Sequence, residues 1–252
     1  MTPFAWINIV FFAVLAAALV LVNFTGLDPW WLLTLPVLWL GITVTGSARI
    51  CSGLFLRALC NTGTHRNEIA LTFDDGPTPG VTEKVLSLLR ENNIKAAFFV
   101  VGSKAEKYPE LIREIHKQGH LPGNHSFSHG FWFDLKGYAA MKAELDRTDR
   151  IIEKHTGLDK PLYFRPPYGV TTPVLAKIVR ENNYMVVGWS VGMWDSTLKD
   201  IRKMMARFKK QVRPGAIVLL HDNHGRIIPL LKEIIQEAKR QGYSFARVDE
   251  TA

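Results

Sequence analysis

Residues 69–77 read Ile69-Ala70-Leu71-Thr72-Phe73-Asp74-Asp75-Gly76-Pro77, an apolar run that stops on two adjacent carboxylates and a Gly-Pro turn. A short apolar run bounded by turn residues reads as a buried strand, here 69–73. Outward from it the chain alternates. Further strands are expected at 96–101, 162–164, 185–189, 216–220 and 244–248, and helices at 81–92, 109–118, 138–155, 173–182, 199–210 and 227–241. Thr172-Pro173 supplies a helix cap and first-turn proline, and Gly119 and Gly157 stop the helices before them. Strands alternating with helices imply a parallel sheet with crossover helices, an α/β fold whose functional residues sit just after the strands.

Polar clusters fall at those positions. Asp74-Asp75 can divide labour, one carboxylate holding a metal and its neighbour acting as a base, although Asp-Gly-Pro is also ordinary turn chemistry. His125-Ser126-Phe127-Ser128-His129 places two imidazoles four residues apart, which on a helical turn face the same way. With Asp75 as a third ligand the set suits Zn²⁺ or another late transition metal and leaves a coordination position open. In Arg165-Pro166-Pro167-Tyr168-Gly169 two prolines fix the backbone and Gly169 permits an unusual dihedral, so the Tyr168 amide can be held toward a site; a rigid surface loop is the plainer reading. Trp189 to Asp195 carries a lone acid among aromatics, and Leu219-Leu220-His221-Asp222 delivers a histidine suited to general acid chemistry. Each cluster alone has an ordinary structural explanation. Five at successive strand exits of one domain do not.

In that order, TFDDGP, HSFSH, RPPYG, a Trp-rich acidic loop and LLHD resemble the polysaccharide deacetylase family, also called the NodB-homology or carbohydrate esterase 4 group, over about residues 68–248. The resemblance implies a distorted (β/α) barrel of the NodB-homology type and metal-assisted N-deacetylation of chitin, peptidoglycan or related glycans. It also implies Asp75, His125 and His129 as metal ligands, Asp74 as general base, Arg165 as its brace and Asp195 as the residue that orients Arg165. Tyr168 would lend its backbone amide to the oxyanion, and His221 would be the general acid. Leu219 would line the acetyl pocket, with Trp194 and Pro166 beside the substrate. Zn²⁺ is the expected ion, with Co²⁺ and Ni²⁺ as alternatives. The fourth motif departs from the family: where relatives carry an extra acid, and a Trp just after the acid, this chain has Gly192 and Ser196, with Trp194 expected to fill the missing ring's space from the other side. These changes leave the reaction type standing and count against polymeric chitin or peptidoglycan as substrate.

The N-terminal part is of another kind. Residues 4–22, FAWINIVFFAVLAAALVLV, contain one strongly polar side chain, Asn8, and come close to the roughly 20 residues that cross ~30 Å of hydrocarbon. After a polar break, a second apolar run at 30–44 carries Pro36 and Gly41, and Trp6, Trp30, Trp31 and Trp39 fit an interfacial belt. No basic segment precedes the first run and another apolar run follows, which argues against a cleaved signal. The expectation is a transmembrane hairpin and juxtamembrane segment at 1–60 and a catalytic domain at 61–252, with a buried core helix as the alternative for the second run. Residues 50–59 form an amphipathic stretch suited to a membrane surface. Cys51 and Cys60 are too few for a disulfide framework and read as buried or lipid-facing thiols. Arg49, Arg57 and Arg66 put the catalytic domain in the cytoplasm by the positive-inside rule, whereas the family resemblance implies the outside.

A formal net charge of +8 fits an anionic partner, such as a phospholipid headgroup, a sugar phosphate or an acidic glycan, or simply a solvated basic surface. Lys and Arg are scattered along expected helices without interleaved aromatics, so no nucleic acid is expected. The leading expectation is a metal-dependent N-deacetylase acting on an N-acylated amino sugar of a cell-envelope glycan or glycolipid precursor, with membrane lipid as a further partner. One alternative is a deformylase or deacetylase of a polyprenyl-phosphate-linked amino sugar; another, of a different class, is a non-catalytic glycan-binding membrane protein. Sequence says nothing of oligomeric state.

Overall fold

The computed structural model describes residues 2–159 and 163–250. Helix α1 (Pro3–Thr25) starts at Thr2, whose hydroxyl accepts from the Ala5 amide, and ends on Gly26 in the left-handed region. Asp28 caps a short turn, Pro29–Leu33, that continues into α2 (Thr34–Ser47). The two helical stretches Pro3–Thr25 and Pro29–Ser47 are long and apolar enough to cross a membrane, with mean hydropathies of 2.6 and 1.3. Only 6% and 0% of them is buried in the protein, so the second run is not a buried core helix. The polar side chain in the middle of the first apolar run finds a partner in the second helix: Asn8 Oδ1 accepts from Trp39 Nε1 at 2.9 Å. Such a pair satisfies two groups that hydrocarbon would leave bare.

The catalytic part is a curled parallel sheet wrapped by helices. In chain order it comprises β1 (Glu68–Asp74), α3 (Thr82–Glu91), β2 (Ala97–Val100), α4 (Gly102–Lys107), α5 (Pro109–Lys117) and β3 (Leu121–Asn124). Then follow α6 (Tyr138–Thr156), β4 (Tyr163–Phe164), α7 (Pro173–Glu181), β5 (Met185–Val186) and β6 (Val191–Gly192). Last come α8 (Ile201–Gln211), β7 (Ile217–His221), α9 (Ile227–Arg240) and β8 (Ser244–Phe245). The sheet order is β5-β4-β3-β2-β1-β7-β6, with β8 against the start of β1. This is the distorted (β/α) barrel expected from the motifs.

Strand β1 is central and buried on both faces, which is why it reads as one unbroken apolar run. Its register sets Asp74 beside Phe99 on one side and His221 on the other, so two of the polar clusters meet at the strand tips. The Thr172 hydroxyl caps α7 by accepting from Leu175 N at 3.2 Å. Residue 162, the start of one expected strand, lies outside the described residues. Strand β3 was not among the expected strands; it contains Pro122 and Gly123, residues that weaken a strand pattern. Gly123 is there for a tertiary reason: a Cβ on it would lie 2.7 Å from the Phe99 ring.

Two expectations about the juxtamembrane segment are corrected. Residues 50–59 do not lie free for a membrane surface; Ile50, Leu54, Phe55 and Leu56 are buried, and Ile50 and Leu56 share a core with Phe164, Leu175, Ile178 and Val186. Their apolar face had a closer partner in α7 and β5. Leu59 extends the edge of the sheet, donating to Val186 O at 2.8 Å and accepting from Gly188 N at 2.9 Å. Cys51 and Cys60 are not free thiols either; they form a disulfide, their Cα atoms 6.0 Å apart. The bridge forms because the segment folds back over Gly188, where a Cβ would fall 2.5 Å from Cys60 Sγ. Closing so short a loop contributes about 2–3 kcal/mol in the chain-entropy account. The Cys51→Ser/Cys60→Ser double variant is therefore expected to melt ~5–10 °C lower. A calorimetric midpoint equal to that of the parent protein refutes this.

Candidate functional site

At the tip of β1 the chain turns through Asp75, a non-glycine residue at φ 69°, and the turn sends the two neighbouring carboxylates to different partners. Asp74, buried, accepts from Arg165 Nη1 at 2.7 Å through Oδ1, while its Oδ2 lies 3.7 Å from His125 Nε2. Asp75 Oδ1 lies 3.6 Å from His125 Nε2 and 3.2 Å from His129 Nε2. These three donor atoms lie within 4.8 Å of one another, and no other cluster of this kind occurs among the described residues.

The donor set fits a divalent cation. One carboxylate oxygen and two imidazole nitrogens face a common point beside a cavity, and the second polar atom of both His125 and Asp75 is already engaged. His125 Nδ1 is 2.7 Å from Arg165 O, so it carries the proton and leaves Nε2 with its lone pair. Asp75 Oδ2 accepts from Asn223 Nδ2 at 2.8 Å. Burial disfavours an ionised Asp75, but where protons rather than an ion sit on the imidazoles, the hydrogen bond and charge of protonated His125, with His129, outweigh that and hold its carboxyl below the usual range. Burial, reinforced by His125, pushes His129 down and so favours its neutral, ligating form.

The loop carrying the histidines is not the helical turn expected from their spacing. Ser126 and His129 have φ of 61° and 47°, and the loop is held by side chains instead. Asn124 Oδ1 accepts from Ser126 N at 2.8 Å, and Ser126 Oγ accepts from His129 N at 3.1 Å. Asn124 is anchored in turn on Leu145 O and Asp149.

Arg165 is fully buried and every nitrogen of its fork is used. Nε donates to Val187 O at 2.9 Å, Nη2 to Gly188 O at 2.8 Å, and Nη1 to Thr72 Oγ1 at 2.9 Å as well as to Asp74. The Phe99 ring lies 4.3 Å from its Cζ. Asp195 was expected to orient this arginine, and that is corrected. The Asp195 carboxylate, fully buried, accepts instead from both the amide and Nδ1 of His221, at 2.9 and 2.8 Å. Backbone carbonyls at the β5 edge take the role assigned to Asp195, because the short strand ends there with its carbonyl groups turned to the guanidinium. Burial lowers the His221 pKa, but the hydrogen bond and charge of Asp195, with Asp74 and Asp75 nearby, outweigh it and raise it to about 9.

A cavity of about 430 Å³ gathers Asp74, Asp75, His125, His129, Tyr168, Leu219, His221 and Trp194. Gly192 and Ser196, the departures in the fourth motif, line it too. Tyr168 sits in the left-handed region at φ 57°, with its ring 4.8 Å from that of His129. Arg165 and Asp195 stand behind the wall. Pro166, expected beside the substrate, is buried and is not among the lining residues. Trp189, Asn124, Asn223 and Thr72 were not anticipated. Thr72 did carry a signal, as the one polar residue inside an apolar strand, and Asn223 follows His221 by two positions.

Residues 61–187 match the family described as polysaccharide deacetylase. The peptidoglycan-N-acetylmuramic acid deacetylase PdaA of Bacillus subtilis is 35% identical over 192 residues, covering 74% of this chain and 72% of the relative. A peptidoglycan-N-acetylglucosamine deacetylase of Bacillus cereus is also 35% identical over 192 residues, covering 72% of this chain and 86% of that protein. Among solved structures, the Bc1960 peptidoglycan N-acetylglucosamine deacetylase superposes with a TM-score of 0.71 at 30% identity, covering 76% of this chain and 91% of its own. With the strand-tip clusters converging on one cleft in that same fold, this chain belongs to the polysaccharide deacetylase family and is a carbohydrate amide hydrolase.

Proposed function

We propose that this protein is a membrane-anchored, Zn²⁺-dependent N-deacetylase that removes acetyl groups from amino sugars of peptidoglycan on the outer side of the membrane; the likeness to peptidoglycan deacetylases outweighs the departures at Gly192 and Ser196 that count against that polymer. The observation that carries the reading is the meeting of Asp75, His125 and His129 at one point, with Asp74 and His221 lining the same cavity. When bound there, the ion supplies Lewis-acid polarisation of the acyl carbonyl and makes water more acidic. Asp74, with Oδ1 fixed by Arg165, accepts the proton of the attacking water through Oδ2. The Tyr168 N–H faces the oxyanion that develops, a contribution commonly worth about 3–4 kcal/mol per donor. His221, cationic and aligned by Asp195, protonates the departing amine through Nε2. Leu219 and Trp189 offer an apolar wall for a methyl group.

The disulfide supports the outer side of the membrane. Cys51 and Cys60 are bridged, and such bonds persist in oxidising compartments. This outweighs the charge rule, which is weak for large domains, and it disfavours a lipid-linked precursor handled in the cytoplasm. The bare apolar surface of α1 and α2 supports anchoring, because exposed apolar faces of this extent call for lipid.

The test uses the full chain in detergent, stripped with a chelator and reloaded with Zn²⁺, Co²⁺ or Ni²⁺. Acetate release from peptidoglycan fragments is expected to fall at least a hundredfold on stripping and to return on reloading. No metal-dependent release from any N-acetylated glycan or lipid-linked amino sugar would sink the proposal.

A further inference from the structure

The base of the helical hairpin carries two adjoining cavities of about 370 and 760 Å³, away from the metal cleft. Arg57, Val179 and Arg180 belong to the walls of both, and Lys177 lines the smaller. No carboxylate lines either cavity, and among the described residues neither Arg57 nor Arg180 has an acidic partner. Lys177 has only a long contact of 3.9 Å to Glu181. Two cations without an acidic partner among the described residues, and a third with only a distant one, therefore gather at the point where the chain leaves the apolar helices.

The opposite wall of the smaller cavity is apolar and continuous with α1. Phe4, in the first turn of that helix, packs at a tilt against Phe55 with ring centroids 4.7 Å apart, and its amide donates to Leu54 O at 3.2 Å. The helix N-terminus adds its positive dipole end to the same wall. One side of the site thus suits hydrocarbon, and the other suits an anion with several acceptor oxygens. A soluble anion matches the cations alone; a phosphate carried on a lipid matches both walls.

We propose that these cavities bind the phosphate of an anionic membrane lipid, seated between Arg57 and Arg180 with its glyceride end on Phe4 and Phe55. The proposal rests on reading α1 and α2 as membrane spans. Thr171, three residues beyond Tyr168, exchanges hydrogen bonds with Ser47 at the end of α2, its amide donating to Ser47 O at 3.0 Å and its carbonyl accepting from Ser47 Oγ at 2.6 Å. A lipid bound beside α7 holds the loop that carries Tyr168 at a set height above the bilayer.

The full chain in neutral detergent is titrated with dihexanoyl phosphatidylglycerol, dihexanoyl phosphatidylcholine or inorganic phosphate while thermal unfolding is followed. Phosphatidylglycerol is expected to raise the midpoint by several degrees and to lose that effect in the Arg57→Gln/Arg180→Gln variant, whose acetate release from a soluble fragment stays at the parent level. Equal shifts from both lipids, or an undiminished shift in the variant, overturn the proposal. A shift of the same size from inorganic phosphate, lost in the variant, identifies a free-anion site and overturns the lipid source. If the double variant does not fold, native mass spectrometry of the parent protein released from mixed-lipid nanodiscs decides instead: enrichment of phosphatidylglycerol adducts supports the site and equal retention refutes it. Failure of the membrane reading shows separately as extraction by alkaline carbonate, and failure of the deacetylase reading as absent acetate release.

Discussion

Replacing Asp74 with asparagine is expected to lower kcat for acetate release about a thousandfold, within the ~10²–10⁴ range of a lost general base. The amide retains an acceptor for Arg165 and nearly the same volume, so cleft shape and metal content are expected to survive. Only the proton acceptor disappears. KM should change little, because Asp74 acts on water and not on the sugar. Arg165 does lose its counterion. The guanidinium is fully buried, and removing the charged partner of a buried pair costs about 3–5 kcal/mol. The carbonyls of Val187 and Gly188 and the Thr72 hydroxyl remain to soften that loss, so a lower melting midpoint accompanies the kinetic defect. Metal content measured beside kcat separates the two effects. A folded, metal-loaded Asp74→Asn protein within tenfold of the parent rate would falsify the assignment.

Asp195→Asn is expected to reduce kcat roughly a hundredfold, at the lower end of ~10²–10⁴ for a disabled acid, and to change the pH profile as well. The folded-state pKa of His221 is raised to about 9 from its ordinary 6.5. A raised value means that the pairing with Asp195 is fully present below the ordinary pKa and is lost as pH rises through about 9. Without the Asp195 charge and hydrogen bond, burial of His221 is opposed only by Asp74 and Asp75, and the neutral ring gains. The alkaline limb of kcat/KM should therefore move to lower pH, with the acid limb in place. A cation at the triad pulls the His221 value down in both proteins and leaves the direction of the difference unchanged. A uniform loss at every pH would indicate a merely structural Asp195.

Particular residues show where sequence suffices. Strand β1 could be read without the fold because a strand buried on both faces has no polar alternation to obscure it, and Thr172-Pro173 because its capping bond spans three residues. Asp74, Asp75 and His221 stand at the tips of β1 and β7, two strands the apolar pattern shows, so that pattern also carries their place. Strand β3 was hidden by Gly123, which answers to the Phe99 ring and not to its own neighbours. Asp195 was paired with Arg165 on the family resemblance alone; the β6–β7 register delivers His221 to it instead.

By itself the sequence determined the alternating α/β architecture, the two apolar helices and the chemical types available at each strand exit, because these depend on periodicity and on contacts within a few residues. Tertiary structure alone decided which carboxylate meets which cation, that Cys51 reaches Cys60, that Asn223 braces Asp75, and that Arg57 and Arg180 share cavities at the hairpin base. Those pairings join segments far apart in the chain or folded back on themselves, and a side chain has no local signal for a partner that only the closed sheet brings within hydrogen-bonding range.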